Sequence, residues 1–426
     1  MRYQDVFATP FDLIATLPFL AILPYMVGRS FRGLGLSERF YIMVTAGGWA
    51  WLTYAYASDT ILYWLGTPPL DVVGHHNWSM YIAKQIGLGN WAAVRSHLNF
   101  GNDLYQVYVG FIYAFTGLSV RFVIMLNAFI AFCASLALFS GFRRIYPAGS
   151  PAPLWGILVI FFPSVVFWTT ANSKEALMYW SICQVVVFVL GQDGRRAVLP
   201  GPLTITAMAV GLLLRPHVMG CWLAAVFAVA VIKFRKLTYV ALLAPCLFVA
   251  GIGAERLTGM DVESVDSVVA YGQAMNATLQ RDKTQGSNIG YAGGGPVLFV
   301  SGLVSIFFRP FPWQIDSLRI ALNCLEAWCL TLAITWGWVR AGGHRLEMLK
   351  LPPVLVSILV CMGFAVFFTF VSNVGLMVRQ KIQIVPALLA LSLLPAFHCS
   401  WSRESQRFFK QAESPHTASR APLPSL

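Results

Sequence analysis

Apolar residues in this chain gather in repeated runs of 16 to 22, separated by polar segments that carry arginine and lysine. At 1.5 Å per residue, runs of that length match a helix crossing a hydrocarbon core of about 30 Å. The pattern predicts an all-α polytopic membrane protein with eleven spans. They fall at about 11–27, 40–58, 119–140, 154–170, 176–191, 202–214, 218–232, 237–254, 318–339, 353–372 and 382–398. The first is the weakest, because it holds two prolines and starts at Asp12. It has neither a basic leader nor a clear small-residue cleavage site, so it is expected to stay in the protein.

Two long segments do not fit the spanning pattern. In the first, 59–118, Trp78, Tyr81, Ile82 and Ile86 recur at helical spacing, as do Trp91, Val94 and Leu98. Its third piece, 104–115, is about 18 Å long as a helix, too short to cross. These pieces predict helices lying in the interface. An extra span at 104–118 is the alternative, but it would place the later arginine pairs on the opposite side. The second segment, 253–319, starts polar, with Asp261, Glu263, Asp266 and Gly293–Gly295, and its part from Glu255 to Gly295 is expected to form a lid over a cavity. It ends in a short apolar piece, 296–308, and an aromatic stretch, Phe308 to Trp313, stiffened by Pro310 and Pro312.

Charge sets the expected orientation. Only 11% of residues are charged, against about a quarter in soluble chains. The net charge of +12 does not indicate nucleic acid, because the basic residues cluster in short loops. Arg29, Arg32, Arg39, Arg143, Arg144, Arg195, Arg196, Lys233, Arg235, Lys236, Arg340, Arg345 and Lys350 fall on one side. With Arg403, Arg407, Lys410 and Arg420 of the tail they make 17 of the 30 basic residues. The positive-inside rule makes that side cytoplasmic. The N-terminus and both long loops are then outside, and the C-terminus inside. The domains expected are an N-terminal span with its basic loop (1–39), a transmembrane domain (40–400) and a disordered cytoplasmic tail (401–426).

The eight cysteines all lie in or beside apolar runs, so neither a disulfide framework nor a zinc set is expected. No phosphate-binding loop, dinucleotide fingerprint or serine nucleophile elbow is present.

The chemistry candidates sit at the outer ends of the spans. Asp59 closes the run 40–58, and a carboxylate at a water–lipid boundary is expensive enough to suggest function. Lys174, Glu175, Arg215, His217, Arg309, Arg379 and Lys381 fall at the same depth. One carboxylate among several cations suits a lipid phosphate ester attacked by a hydroxyl. The carboxylate takes or orients the hydroxyl proton, and the cations hold the phosphate as leaving group. Snorkelling to headgroups is the alternative for each cation alone. Lys174-Glu175 and Arg215-Pro216 interrupt apolar sequence, which that alternative does not require. Arg215, Arg309 and Arg379 are expected to converge on one cavity. His75 and His76, near Asp71, read as a polar loop or a metal site. Glu326 reads as pairing with Arg121 or Arg215, or as a protonated or water-facing carboxyl. Asn127 reads as an interhelical hydrogen bond. Asn276-Ala-Thr matches a glycosylation sequon.

Three features together resemble a family. They are a span ending in Asp59, a long first outer loop with interfacial helices, and the stretch Phe-Phe-Pro-Ser-Val-Val-Phe-Trp-Thr-Thr-Ala-Asn-Ser-Lys-Glu-Ala-Leu at 161–177. The chain is similar to integral-membrane glycosyltransferases of the GT-C superfamily, in particular the protein-mannosyltransferase and aminoarabinose-transferase-like group. Gly110 to Gly117, Leu126-Asn127-Ala128 and the stretch Arg379 to Pro386 add to the likeness, which runs diffusely over about 40–395. The resemblance implies inverting transfer of a sugar from a polyprenyl-phosphate donor at the outer leaflet, with Asp59 as catalytic carboxylate. Its partners would be that donor, a lipid or glycan acceptor and membrane lipids. It would sit as a multi-pass protein of the cytoplasmic (inner) membrane, its site facing outside or the periplasm. Asp59 is followed by Thr60, a departure from the family's two-carboxylate forms, so a divalent metal is not implied and no cofactor is expected. The acceptor is not inherited. Two other functions stay open: a polymerase or ligase of lipid-linked polysaccharide repeats, and a transporter or flippase. The second would place its polar groups near the bilayer midplane rather than at the span ends.

Overall fold

The computed structural model describes residues 10–64, 70–117, 120–145, 152–191, 199–234, 296–315, 318–369 and 374–396. Among these residues all regular structure is helical. The helices are α1 (Pro10–Phe31), α2 (Glu38–Trp64), α3 (Leu70–Gly87), α4 (Trp91–Ser96), α5 (Asn102–Thr116), α6 (Val120–Ile145), α7 (Ala152–Ile160), α8 (Pro163–Thr169), α9 (Glu175–Leu190), α10 (Pro202–Leu214) and α11 (Pro216–Phe234). After the gap follow α12 (Pro296–Phe308), α13 (Leu318–Ala341), α14 (Arg345–Met348), α15 (Pro352–Thr369), α16 (Val374–Lys381) and α17 (Val385–Ala396).

Four helices are long and apolar enough to cross a membrane: Ile14–Phe31, Val120–Ile145, Pro216–Lys233 and Ile320–Met348. The pair Gly375–Lys381 and Val385–Ala396, bent by 55°, makes a fifth if taken as one span. Trp155–Thr169, Glu175–Leu190, Pro202–Leu214, Phe299–Phe308 and Pro352–Phe368 are apolar but shorter. Among the described residues this is a helical membrane protein, in which four or five of the eleven expected spans stand alone by length and composition. The run 154–170 is two helices, because Pro163 starts a new one and its missing N–H costs nothing at a first-turn position. The expected span 237–254, the proposed lid, the sequon at Asn276 and the tail lie outside the described residues.

The boundary at Asp59 is corrected. α2 continues past it to Trp64, since no glycine or proline stands between Ser58 and Trp64 to stop it. Asp59 is therefore inside a helix, not at its end.

Helix α6 is the hub. It packs against α1, α2, α7, α8 and α9. Its buried positions alternate small residues, Ala128, Ala131, Ala134 and Ser135, with Ile124, Phe132 and Leu138. Small side chains let backbones approach closely, which is how helices associate where lipid removes the hydrophobic drive between them. By contrast α1 turns Ile14, Leu17, Ile22 and Tyr25 outward.

The first long loop folds, as expected, into helices, none of which is both long and apolar enough to cross a membrane. α3 packs on α5 over Ile82, Ile86, Val94 and Val107. Gly110 permits the approach: a Cβ there would lie 2.7 Å from the Ile82 side chain. The Gly101 N–H donates to the Leu213 carbonyl (2.9 Å) and ties this unit to the end of α10.

Two sets of helix ends separate along α6. Ser140 Oγ donates to the Ser30 carbonyl (3.0 Å), joining α6 to the end of α1. Asn127 Nδ2 donates to the carbonyls of Ala171 (3.1 Å) and Ser173 (3.4 Å). Thirteen residues of helix part these anchors, about 20 Å.

Candidate functional site

Arg215 owes its position to Pro216. A residue before proline is driven out of the helical region, and Arg215 has φ −149° and ψ 79° between α10 and α11. Its guanidinium is thereby turned inward, where it is buried. Nη2 donates to Glu175 Oε1 and Nη1 to Gln380 Oε1, each at 2.5 Å. Arg379, in the last turn of α16, donates through Nε to the same Glu175 oxygen at 2.6 Å. Glu175 is fully buried and begins α9, where unsatisfied N–H groups favour a negative charge. Lys174 precedes it and adds a favourable charge interaction. One carboxylate thus faces two guanidiniums in this first centre. Glu175 Oε2 has no hydrogen-bond partner among the described residues.

A polar network holds the strand of chain that leads to Glu175. Asn127 Nδ2 also donates to the Tyr105 hydroxyl (2.9 Å), which in turn donates to Asn172 Oδ1 (2.9 Å). Burial raises the Tyr105 phenol well above its ordinary pKa, against the opposing hydrogen bond from Asn127, so it stays protonated and able to donate. Ser58 Oγ reaches the Thr170 carbonyl at 3.2 Å, and the Thr170 hydroxyl bonds Tyr54. The turn of α2 just before Asp59 is therefore docked on the segment that ends at Glu175.

A second centre lies around Lys381. Its ammonium is buried and donates to the Arg309 carbonyl at 3.1 Å, within electrostatic reach of Glu326. Glu326 Oε2 accepts the Ser164 N–H at 2.8 Å and so caps the start of α8. The Arg309 guanidinium, half-buried, lies 5.7 Å over the Phe311 ring. Burial pulls its pKa below the ordinary value.

Of the expected convergence, Arg215 and Arg379 meet while Arg309 does not join them. The reason is helical: Arg379 and Lys381 are two positions apart on α16, about 200°, so they leave nearly opposite flanks. Glu175 is the hub of an ion-pair network rather than a free ligand for substrate. His217 stacks on Phe367 of α15 at 5.6 Å and lies within electrostatic reach of Arg215 and Lys174 at the first centre. Glu326 accepts the Ser164 N–H and has Lys381 as its cationic neighbour. His75 and His76 are buried against Gln106 (3.3 Å) and the Tyr113 hydroxyl (3.0 Å). Among the described residues no three of His, Cys, Asp or Glu gather to hold a metal. Sequence reasoning missed Gln380 and the roles of Tyr105 and Asn172. Gln380 carried a usable signal, since it sits between two cations in an apolar stretch.

No protein-family model matches the chain, and neither curated proteins nor solved structures gave a match.

Proposed function

We propose that this protein is a glycosyltransferase of the cytoplasmic membrane that moves a sugar from a polyprenyl-phosphate donor to a lipid or glycan acceptor at the outer face. Eleven spans, as in GT-C enzymes, belong to the same reading. An acceptor hydroxyl attacks the anomeric carbon and inverts it. Its proton passes to the carboxylate of Asp59, and the bond to the phosphate oxygen breaks. The leaving phosphate is stabilised by Arg215 and Arg379, with Lys174 at the rim. The observation that supports this most is the meeting of two guanidiniums, which match phosphate oxygens, at the first centre. Two arginines from distant helices share one buried carboxylate, beside the turn of α2 that leads to Asp59.

The test is transfer by the purified protein with a panel of polyprenyl-phosphate sugars. Asp59→Asn is nearly isosteric and should lower the rate roughly 10² to 10⁴-fold. A rate within about threefold of the parent removes Asp59 from the mechanism. A product carrying one added sugar supports the transferase, and long chains identify a polymerase. The lipid-linked intermediates that accumulate in cells lacking the protein would name the substrates.

A further inference from the structure

Arg309, Phe311 and Trp313 form a continuous stack. The guanidinium covers one side of the system, and the Phe311 and Trp313 rings lie 4.6 Å apart with planes at 11°. The stack runs from the interior to the surface: Arg309 Nε is buried without a hydrogen-bond partner among the described residues, and Trp313 is 77% exposed. It is also rigid. Pro310 and Pro312 fix the backbone, and Gln314 closes the turn, its Oε1 accepting the Phe311 N–H and its own N–H donating to the Phe311 carbonyl, both at 2.9 Å. Lys381 brings a second cation to the same residue through the Arg309 carbonyl. Glu326 offsets part of the Lys381 charge, and among the described residues no carboxylate forms an ion pair with Arg309.

We propose that this stack is a second anion site, separate from the Glu175 centre, that takes the phosphate monoester head group of a membrane lipid. A guanidinium presents paired N–H groups that match two phosphate oxygens. An exposed indole is the side chain that settles at the headgroup boundary, and Trp313 follows directly from the apolar α12, which turns Val300 outward. The inference rests on the transferase reading only for its role, where it makes the acceptor a phosphate-bearing lipid. Binding itself does not depend on that reading.

The test uses the full chain in phosphatidylcholine nanodiscs, with the emission of Trp313 taken as the difference between parent and Trp313→Phe. Brominated phosphatidic acid should quench that emission at concentrations where brominated phosphatidylcholine does not. Arg309→Gln should raise the half-quenching concentration about tenfold. Arg309→Lys keeps the charge without the fork and should raise it severalfold, which preserves the test if the glutamine variant does not fold. Asp59→Asn should leave the quenching unchanged. Equal quenching by both lipids, or no effect of either Arg309 variant, overturns the site. Full displacement by millimolar inorganic phosphate overturns the lipid assignment. Arg309-dependent quenching in a protein that transfers no sugar would sink the transferase reading and leave the site standing.

Discussion

Glu175 carries two guanidiniums on one oxygen, so its removal strands both. Breaking a buried pair by removing one partner typically costs 3–5 kcal/mol, because the remaining charge is left uncompensated. Glu175→Gln should therefore lower thermal stability in detergent by an amount that Asp59→Asn does not approach, as a scanning melt of the two variants would read. Arg215→Lys should keep the charge but lose one of two bonds, since an ammonium cannot span Glu175 and Gln380 as the planar fork does. A melt unchanged in Glu175→Gln would mean that the charge cluster contributes nothing to the fold. The positions of these residues were legible, because Lys174-Glu175 and Arg215-Pro216 break apolar runs. Their pairing was not. Arg379 and Glu175 lie 204 positions apart, and no local pattern encodes which distant helix supplies a partner. Gln380 was passed over because a neutral amide in an apolar stretch carries none of the cost that makes a charge conspicuous.

Helix α3 was readable from the spacing of Trp78, Tyr81, Ile82 and Ile86, because one apolar face of a helix repeats every 3.6 residues. The end of α2 was not, since apolar character fades at Asp59 while helical geometry continues to Trp64. The break at Pro163 was hidden within one apolar run. Contact between α3 and α5 is close at Gly110, where a side chain would press on Ile82 and the Ser79 carbonyl. Gly110→Val should cost about 1–3 kcal/mol through overpacking and should speed hydrogen exchange in both helices. The same pair should respond to acid. Burial holds the His76 imidazole below its ordinary value of 6.5, so the opened state binds a proton more readily than the packed one. Protection of α3 and α5 should hold above about pH 6.5 and fall as the pH drops below it. His76→Phe should flatten that profile, and an identical slope in the variant would assign the effect to another group.

At the scale of the molecule, hydrogen bonds sort the helix ends into two groups. Ser30 and Ser140 mark one, and Ser58, Thr170, Ser173, Arg215 and Leu213 the other. Arg215, and Arg379 through Glu175, belong to the second group. Cysteine substitution fixes which group faces out. In a background without native cysteines, Leu88→Cys, at the exposed end of α3, should react with an impermeant thiol reagent applied from outside. Leu346→Cys, exposed on the basic side, should not. The reverse result would invert the orientation and move the proposed site to the cytoplasm. The number of crossings was poorly legible, because apolar helices of 10 to 17 residues read as spans in sequence but fall short of the full crossing length.

The helix that carries both Arg379 and Lys381 is eight residues long and ends at a 55° bend. One flank leans on Glu175 and the other on the Arg309 carbonyl, so a roll of this short helix that favours one contact works against the other. An anion drawing Arg379 away from Glu175 should for that reason change the affinity at Arg309. Thermodynamic reciprocity then requires a lipid at Arg309 to change the affinity at Glu175 by the same factor. Two substrates held in this way would each report the other's presence without touching.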